Sequence, residues 1–357
     1  MRQPGAALGP APPALLMQPA ETLAALHGTP FFLHDVDAIR ARVRRVREAF
    51  AGSAEVRVYL AIKANPCPAL LERLRDDVDG ADVSSAQELA AALRAGFDPQ
   101  RLSFAGPGKT DAALAAALAA GVGAISVESP RELAALAQLV RSAPVPRPRA
   151  QVTLRLDPDE ALAAFPVKMT GVPSPFGISE EELPEALRLV EEHREELLLR
   201  GVHVYAGTQC LSAAALMRGF TVTLDLAERV DRALGAPLSL INLGGGFGVP
   251  RDGQVLDLEG LGKKAARALG RYAEVRGGSP AFILELGRYL LAEHGLYAAR
   301  VVSEKRSRGR RFVILDGGTH HLLPRTSHRA VPERGPRPLL NLSRPDGPLE
   351  EVTLVGP

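Results

Sequence analysis

Tryptophan is absent from this 357-residue chain, and cysteine occurs twice, at Cys67 and Cys210. Two cysteines exclude a disulfide-dense scaffold. Neither lies in a Cys-x-x-Cys pair, so no structural zinc site and no metal are expected. Two free thiols fit a reducing, cytoplasmic setting. Charge of one sign is lacking too: 43 Lys and Arg stand against 41 Asp and Glu, a net +2. A dedicated nucleic-acid binder carries a strong basic excess, so no nucleic-acid partner is expected. No apolar run reaches the ~18 residues a membrane helix needs. The Pro- and Ala-rich start is too short and broken for a secretory signal, and residues 1–20 read as a loose tail. What is present is the balance of a soluble globular protein, 46% hydrophobic and 24% charged. The length allows one large domain or two unequal ones.

From residue 21 on, short apolar runs alternate with helical patterns. The strand-like runs are VRVYLAIKA (56–64), GADVS (80–84), RLSFAG (101–106), GAISVES (123–129), QVTLRLD (151–157), GVHVYAG (201–207), LSLINLGGG (238–246) and AFILELG (281–287). Helical patterns separate them. Eight such units predict an α/β fold, a (β/α)₈ TIM barrel over residues 37–294. An open Rossmann-type sheet is the rival, since it uses the same alternation. Residues 21–36 read as a lead-in strand belonging to a second domain. That domain covers 295–357, where LYAARVVSEKRS and RFVILDGG read as strands joined by RGR without a helix. One more strand, EEVTLV, closes the sequence, so the β-domain is expected to be partial. Exposed sheet edges then predict poor solubility or obligate association.

In a barrel, catalytic groups sit at the C-terminal ends of strands. Lys63 ends the first and Asp82 the second. Arg155 lies near the end of the fifth, and His203 and Tyr205 on the sixth. Gly244, Gly245 and Gly246 end the seventh; Glu285 ends the eighth, with Gly287 and Arg288 behind it. A lysine after an apolar strand either snorkels or serves as a Schiff-base former whose pKa desolvation lowers. The glycine run is either a tight turn or a cradle bringing backbone N–H groups to an anion, and Arg288 adds a charged donor. Glu285 either pairs with an arginine or holds a protonated heterocyclic nitrogen. His203 and Tyr205, two apart, share a strand face, so they either face the barrel mouth as cofactor-binding residues or simply pack there. His320 and His321, adjacent, do not share a face, and are poor joint metal ligands. Lysine, anion cradle and carboxylate together describe a site for pyridoxal 5′-phosphate.

The runs YLAIKANPCPALL, GADVSSAQELAAALRAGF, LSFAGPGKTDAAL, VTLRLDP, PFGI, NLGGGFG, ELGRYLLAEHGLY and ILDGGTHHLL resemble, in order, the fold-type III pyridoxal-phosphate decarboxylases. That family includes the diaminopimelate, ornithine and arginine decarboxylases. The resemblance covers roughly residues 22–325 and implies an alanine-racemase-like barrel. It implies that Lys63 forms the Schiff base and that Asp82 and Glu88 are the acidic pair near it. Arg155 matches the arginine of the fifth strand. Gly244–Gly246, Gly287 and Arg288 match the phosphate cradle. Glu285 matches the pyridine-nitrogen partner, and a carboxylate there favours decarboxylation over racemisation.

Departures are visible. Where the family carries His-x-Gly-Ser, this chain has Tyr205-Ala206-Gly207-Thr208. Tyr205 can still stack on a ring, and Thr208 can still donate to phosphate. Leu286 replaces the family's proline, and Pro175 stands for a lysine. VKMTGVPSPFGI, HVYAGTQ and DGGTHHLL are similar to a branch of biosynthetic-cluster enzymes, exosortase-associated or acting on glutamyl groups of an acyl-carrier protein. The family's later Cys, Asp and Tyr have no counterpart before Pro357. The expected partner is a homodimer mate or a separate chain supplying that segment. Two rival readings are a degenerate paralogue acting as a non-catalytic subunit and another pyridoxal-phosphate reaction, racemase or aldolase. Arg325, Arg329, Arg334 and Arg337 suit an acidic partner or, more simply, a solvated face.

Overall fold

The computed structural model of the chain describes residues 14–52, 54–144, 148–161, 165, 167–250, 253–278, 280–318, 321, 341–344 and 351–357. They fall into two units, Val36–Glu293 and a smaller one made of the residues up to Asp35 with those from His294 on. His320, Arg325, Arg329, Arg334 and Arg337 lie outside the described residues.

The larger unit is built on β1 (Val56–Ala61), β2 (Gly80–Val83), β3 (Leu102–Phe104), β4 (Ala124–Val127), β5 (Ala150–Asp157), β6 (Leu197–His203), β7 (Leu240–Gly245) and β8 (Ala281–Leu286). Each strand pairs in parallel with the next, and β8 pairs with β1. The sheet is closed. That removes the Rossmann-type alternative, whose open sheet has two edges. Every residue of β8 is buried, as a strand covered on both faces requires.

Helices α1 (Val36–Ala49), α2 (Pro68–Leu74), α3 (Ala86–Arg94), α4 (Asp111–Ala120), α5 (Pro130–Ser142), α6 (Leu183–Glu192), α7 (Ala213–Leu234) and α8 (Leu258–Arg276) form the outer ring. Each packs on its neighbour and α8 packs on α1. Helix α1 precedes β1, yet fills the place after β8, where the chain makes only one turn, Arg288–Leu291. Phe50 at the end of α1 stacks on Phe247, ring centroids 6.1 Å apart, and meets Phe220 of α7 edge-on. This apolar cluster anchors the segment that follows the glycine run.

Helices α3 and α5 start in the same way. Ser85 Oγ accepts the Glu88 N–H, and Glu88 Oε2 accepts the Ser84 N–H at 2.7 Å. Ser129 Oγ accepts the Glu132 N–H, and Glu132 Oε2 accepts the Glu128 N–H at 2.8 Å. Each is a Ser-x-x-Glu cap whose glutamate reaches back one residue beyond the capping serine.

In the smaller unit, Phe31–His34 pairs antiparallel with Gly295–Ala298. Val301–Ser307 and Arg310–Leu315 form the expected hairpin. It turns through Arg308 and Gly309, both at positive φ, which suits the twist of the flanking strands. The run expected as one strand over 296–307 is broken between Ala298 and Val301. Thr353–Val355 adds in parallel to Phe312–Ile314. A helix covers Ala14–His27, so residues 14–20 are not the loose tail their prolines suggested. Among the described residues, no helix is long and apolar enough to cross a membrane.

Candidate active site

Lys63 sits in a single 3₁₀ turn, Ile62–Ala64, directly after β1. Ile62 is fully buried and anchors the turn. Lys63 Nζ lies 3.2 Å from Asp82 Oδ2; the lysine side chain is 42% exposed and the aspartate 0%. The amine is thus reachable while its partner is not. Burial pulls the Lys63 pKa down, but Asp82, with Tyr205 and Glu285, outweighs it and holds the ammonium above the ordinary lysine value. The expectation that desolvation lowers this pKa is corrected: a buried carboxylate partner decides the sign. Burial first, then the Glu285 charge, pushes Asp82 up to about 7.

The opposite wall is built by Glu285. Asn242 Nδ2 donates to Glu285 Oε1 at 2.5 Å, and Ser103 Oγ donates at 3.4 Å. Asn242 Oδ1 accepts the Gly244 N–H at 2.9 Å, which orients the amide. His203 Nε2 lies 3.5 Å from Glu285 Oε2, and His203 Nδ1 meets Ser126 Oγ at 2.8 Å. Complete burial, then the Arg155 charge, holds His203 well below the usual imidazole range, so its ring is neutral. Glutamate, asparagine and histidine come from β8, β7 and β6, three adjacent staves of the barrel. Tyr205, past the end of β6, has its ring centroid 5.6 Å from Lys63 Nζ and 5.9 Å from Arg155 Cζ.

Gly244 and Gly246 have positive φ. A Cβ on Gly245 would lie 1.8 Å from Glu285 O, and one on Gly246 2.2 Å from Gly207 O. Glycine is therefore enforced by close backbone approach. The loops after β6 and β7 are stitched together: Cys210 N–H donates to Gly246 O and Gly248 N–H to Cys210 O. Thr208 pairs with Val167 in a short antiparallel bridge. Gln209, at positive φ, donates to Val249 O and accepts from Arg288 Nη1 at 3.2 Å. Gln209 went unremarked in the sequence, although it closes the run HVYAGTQ. A Cβ on Gly287 would lie 2.8 Å from Ala64 Cβ, so the turn carrying Arg288 packs on the turn carrying Lys63.

Arg155 Nη1 bonds Glu128 Oε1 at 2.7 Å, and Lys109 Nζ bonds Glu132 Oε2 at 3.1 Å. Lys109, Glu128 and Glu132 are all buried, and sequence reasoning missed all three. Glu88, expected with Asp82 as an acidic pair, is engaged as the cap of α3; burial raises its pKa, with Asp82 and Lys63 in electrostatic range.

Asp82 Oδ1 and His203 Nε2 are buried with no hydrogen-bond partner among the described residues. Such atoms are rare in native proteins, and beside a reachable amine they suit a polar ligand or ordered water. A reachable amine, an acid wall, a glycine loop and an arginine suit a polar aromatic aldehyde bearing a phosphate. Residues 36–292 match the family model for the pyridoxal-dependent decarboxylase, pyridoxal binding domain. The chain belongs to this family.

Its relatives agree. The chain is 34% identical over 334 residues to the L-glutamyl-(BtrI acyl-carrier protein) decarboxylase of Niallia circulans, covering 92% of this chain and 77% of that protein. It is 30% identical over 345 residues to diaminopimelate decarboxylase of Zymomonas mobilis, covering 95% and 78%. A crystal structure of Helicobacter pylori diaminopimelate decarboxylase complexed with L-lysine superposes with a TM-score of 0.71 at 29% identity, covering 84% of this chain and 73% of that one. The protein is thus a pyridoxal-phosphate-dependent amino-acid decarboxylase, a carboxy-lyase, as the sequence resemblance implied. The relatives favour neither the racemase or aldolase reading nor the non-catalytic one.

Proposed function

We propose that this decarboxylase acts on an α-amino acid carried by its distal end on an acyl-carrier protein, with a free amino acid as the second reading. The 34% identity over 92% of the chain to a carrier-linked glutamyl decarboxylase supports the first. The 30% identity to a diaminopimelate decarboxylase supports the second. Decarboxylation itself rests on one observation above all, the Glu285 carboxylate braced by Asn242 between β7 and β8. Bound pyridoxal phosphate supplies an aldehyde for an amine and a ring that accepts the electron pair left by CO₂.

The residues divide the work. Lys63 Nζ is the amine, and Asp82 Oδ2, which accepts from it at 3.2 Å, orients it and favours its charged form. Glu285 would pair with the pyridine nitrogen of the cofactor, and His203, neutral, adds no positive charge beside that carboxylate. Tyr205 offers its ring face for stacking. Thr208, Gly244–Gly246, Gly287 and Arg288 receive the phosphate. Glu88 keeps the segment after Asp82 in place. The working unit is a homodimer or a heteromer: all seven residues of the strand Val301–Ser307 are exposed, and an exposed strand is a ready pairing edge. Free Cys67 and Cys210 suit the cytoplasm.

The test uses the full chain with pyridoxal phosphate, borohydride and a substrate panel. Borohydride is expected to fix the cofactor on the wild type, with peptide mapping to Lys63, and not on Lys63→Ala. CO₂ release is expected from a glutamyl-loaded carrier protein. Release from free diamino acids alone selects the second reading. Fixation at another lysine overturns the assignment of Lys63.

A further inference from the structure

A second cluster of charges lies beside the site, and its work is unassigned. Glu128, in the segment between β4 and α5, is its hub. Its Oε1 accepts from Arg155 Nη1 at 2.7 Å and from the Gly106 N–H, and its Oε2 accepts from the Gly177 N–H at 3.2 Å. One carboxylate therefore ties together the segments after β3 and β4, the strand β5 and the Phe176–Gly177 turn. Lys109 Nζ stands 4.0 Å from Glu128 Oε1 and 3.1 Å from Glu132 Oε2, and donates to Gly106 O. Two cations and two carboxylates balance with none left over, which is how buried charges persist.

Arg155 is the member that reaches the site. Its guanidinium lies 4.9 Å from the Phe176 ring centroid and 5.9 Å from that of Tyr205. On the same Tyr205 ring, Lys63 Nζ stands 5.6 Å from the centroid. An arginine in this position has many rotamers, and cation–π contact alone selects among them weakly. A charge-assisted bond to a buried, triply bonded carboxylate selects strongly.

We propose that Glu128 is a positioning residue of this decarboxylase: by clamping Arg155 it sets Tyr205 against Lys63. The chain of contact runs from Glu128 to Arg155, to the Tyr205 ring, to the reactive amine. Lys109 and Glu132 hold Glu128 in turn. Glu128 touches neither Lys63 nor the cofactor in this scheme, so its effect on the amine is carried by Arg155. The inference rests on Lys63 and Tyr205 belonging to the cofactor site.

That dependence gives the experiment. Glu128→Gln, Arg155→Lys and the double variant are compared with the wild type in the full chain. Displacement of a catalytic group by about 1 Å costs about 100-fold, so kcat of Glu128→Gln is expected to fall about 10–100-fold with little change in KM. The double variant is expected to be no slower than Arg155→Lys. Additive losses in kcat overturn the proposal, because Glu128 then acts by another route. A second readout needs no cofactor. In ¹⁵N-arginine spectra of the apoprotein, the slowly exchanging guanidinium signal that Arg155→Lys removes is expected to disappear in Glu128→Gln. Its persistence overturns the clamp even if the enzyme proves inactive. Failure of the cofactor-site reading shows separately, as a wild type that borohydride does not label at Lys63. If Glu128→Gln does not fold, Glu128→Asp, which keeps the charge and withdraws it by one methylene, is read by the same two measurements.

Discussion

Replacing Asn242 by aspartate changes almost no volume but sets a second carboxyl 2.5 Å from Glu285 Oε1. The amide nitrogen faces Glu285 because the amide oxygen is occupied by the Gly244 N–H. Two carboxylates at that separation repel by about 6–7 kcal/mol at an effective dielectric of about 20. The folded protein has a cheaper course, which is to keep one proton between them. Protonating a carboxyl of ordinary pKa costs about 1.4 kcal/mol per pH unit above it, hence about 4 kcal/mol at pH 7 and about 1 kcal/mol at pH 5. The shared proton retains the hydrogen bond, so little else changes. The sign follows. A carboxyl raised in the folded state destabilises above its unfolded pKa, increasingly as pH rises, and the penalty vanishes in acid. Asn242→Asp is therefore expected to lose about 1 kcal/mol at pH 5 and about 4 kcal/mol at pH 7 relative to wild type. Urea unfolding of both apoproteins at the two pH values measures it. An equal penalty at both, or a larger one at pH 5, refutes the orientation of Asn242 and with it the bracing of Glu285.

Other outcomes follow from the same geometry. Asp82, pushed up to about 7, makes the folded apoprotein lose stability as pH rises from about 4 to about 7. Asp82→Asn is expected to flatten that dependence in a series of urea midpoints, and an unchanged slope counts against the buried carboxylate. Gly246→Ala places a methyl 2.2 Å from Gly207 O, whereas Gly277→Ala, also at positive φ, meets nothing within 4 Å. Gly277→Ala should cost about 1–2 kcal/mol and leave cofactor binding intact. Gly246→Ala should abolish binding in an absorbance titration, and equal behaviour of the pair would sink the view that the loop's close approach shapes the cradle.

The barrel was legible because its strands are short apolar runs between helices of clear period, and because eight such units leave few alternatives. Lys63, Asp82 and Glu285 were legible by position, since a polar residue at the end of an apolar strand stands out. The direction of the Lys63 shift was not, because it depends on how near Asp82 comes, and that distance is set by pairing between β1 and β2. Lys109 was hidden for a different reason. It lies in Gly106-Pro107-Gly108-Lys109-Thr110, a polar loop sequence that reads as exposed. Only the folding of three successive loops over one another encloses it with Glu128 and Glu132. The helix from Ala14 was missed because Pro19 argues against a helix interior, yet Pro19 lies within it.

The two Ser-x-x-Glu caps have a consequence beyond helix initiation. Lys63 follows β1 and has the capping glutamate of α3 within electrostatic range; Lys109 follows β3 and bonds the capping glutamate of α5. The same frame, offset by two staves, thus holds an amine beside an acid twice. In the first copy the lysine side chain is part exposed. In the second it is sealed, with none of its side chain exposed. The two lysines differ in enclosure rather than in residue type. One repeated frame thus places one lysine within reach of a ligand and locks the other into a buried charge cluster.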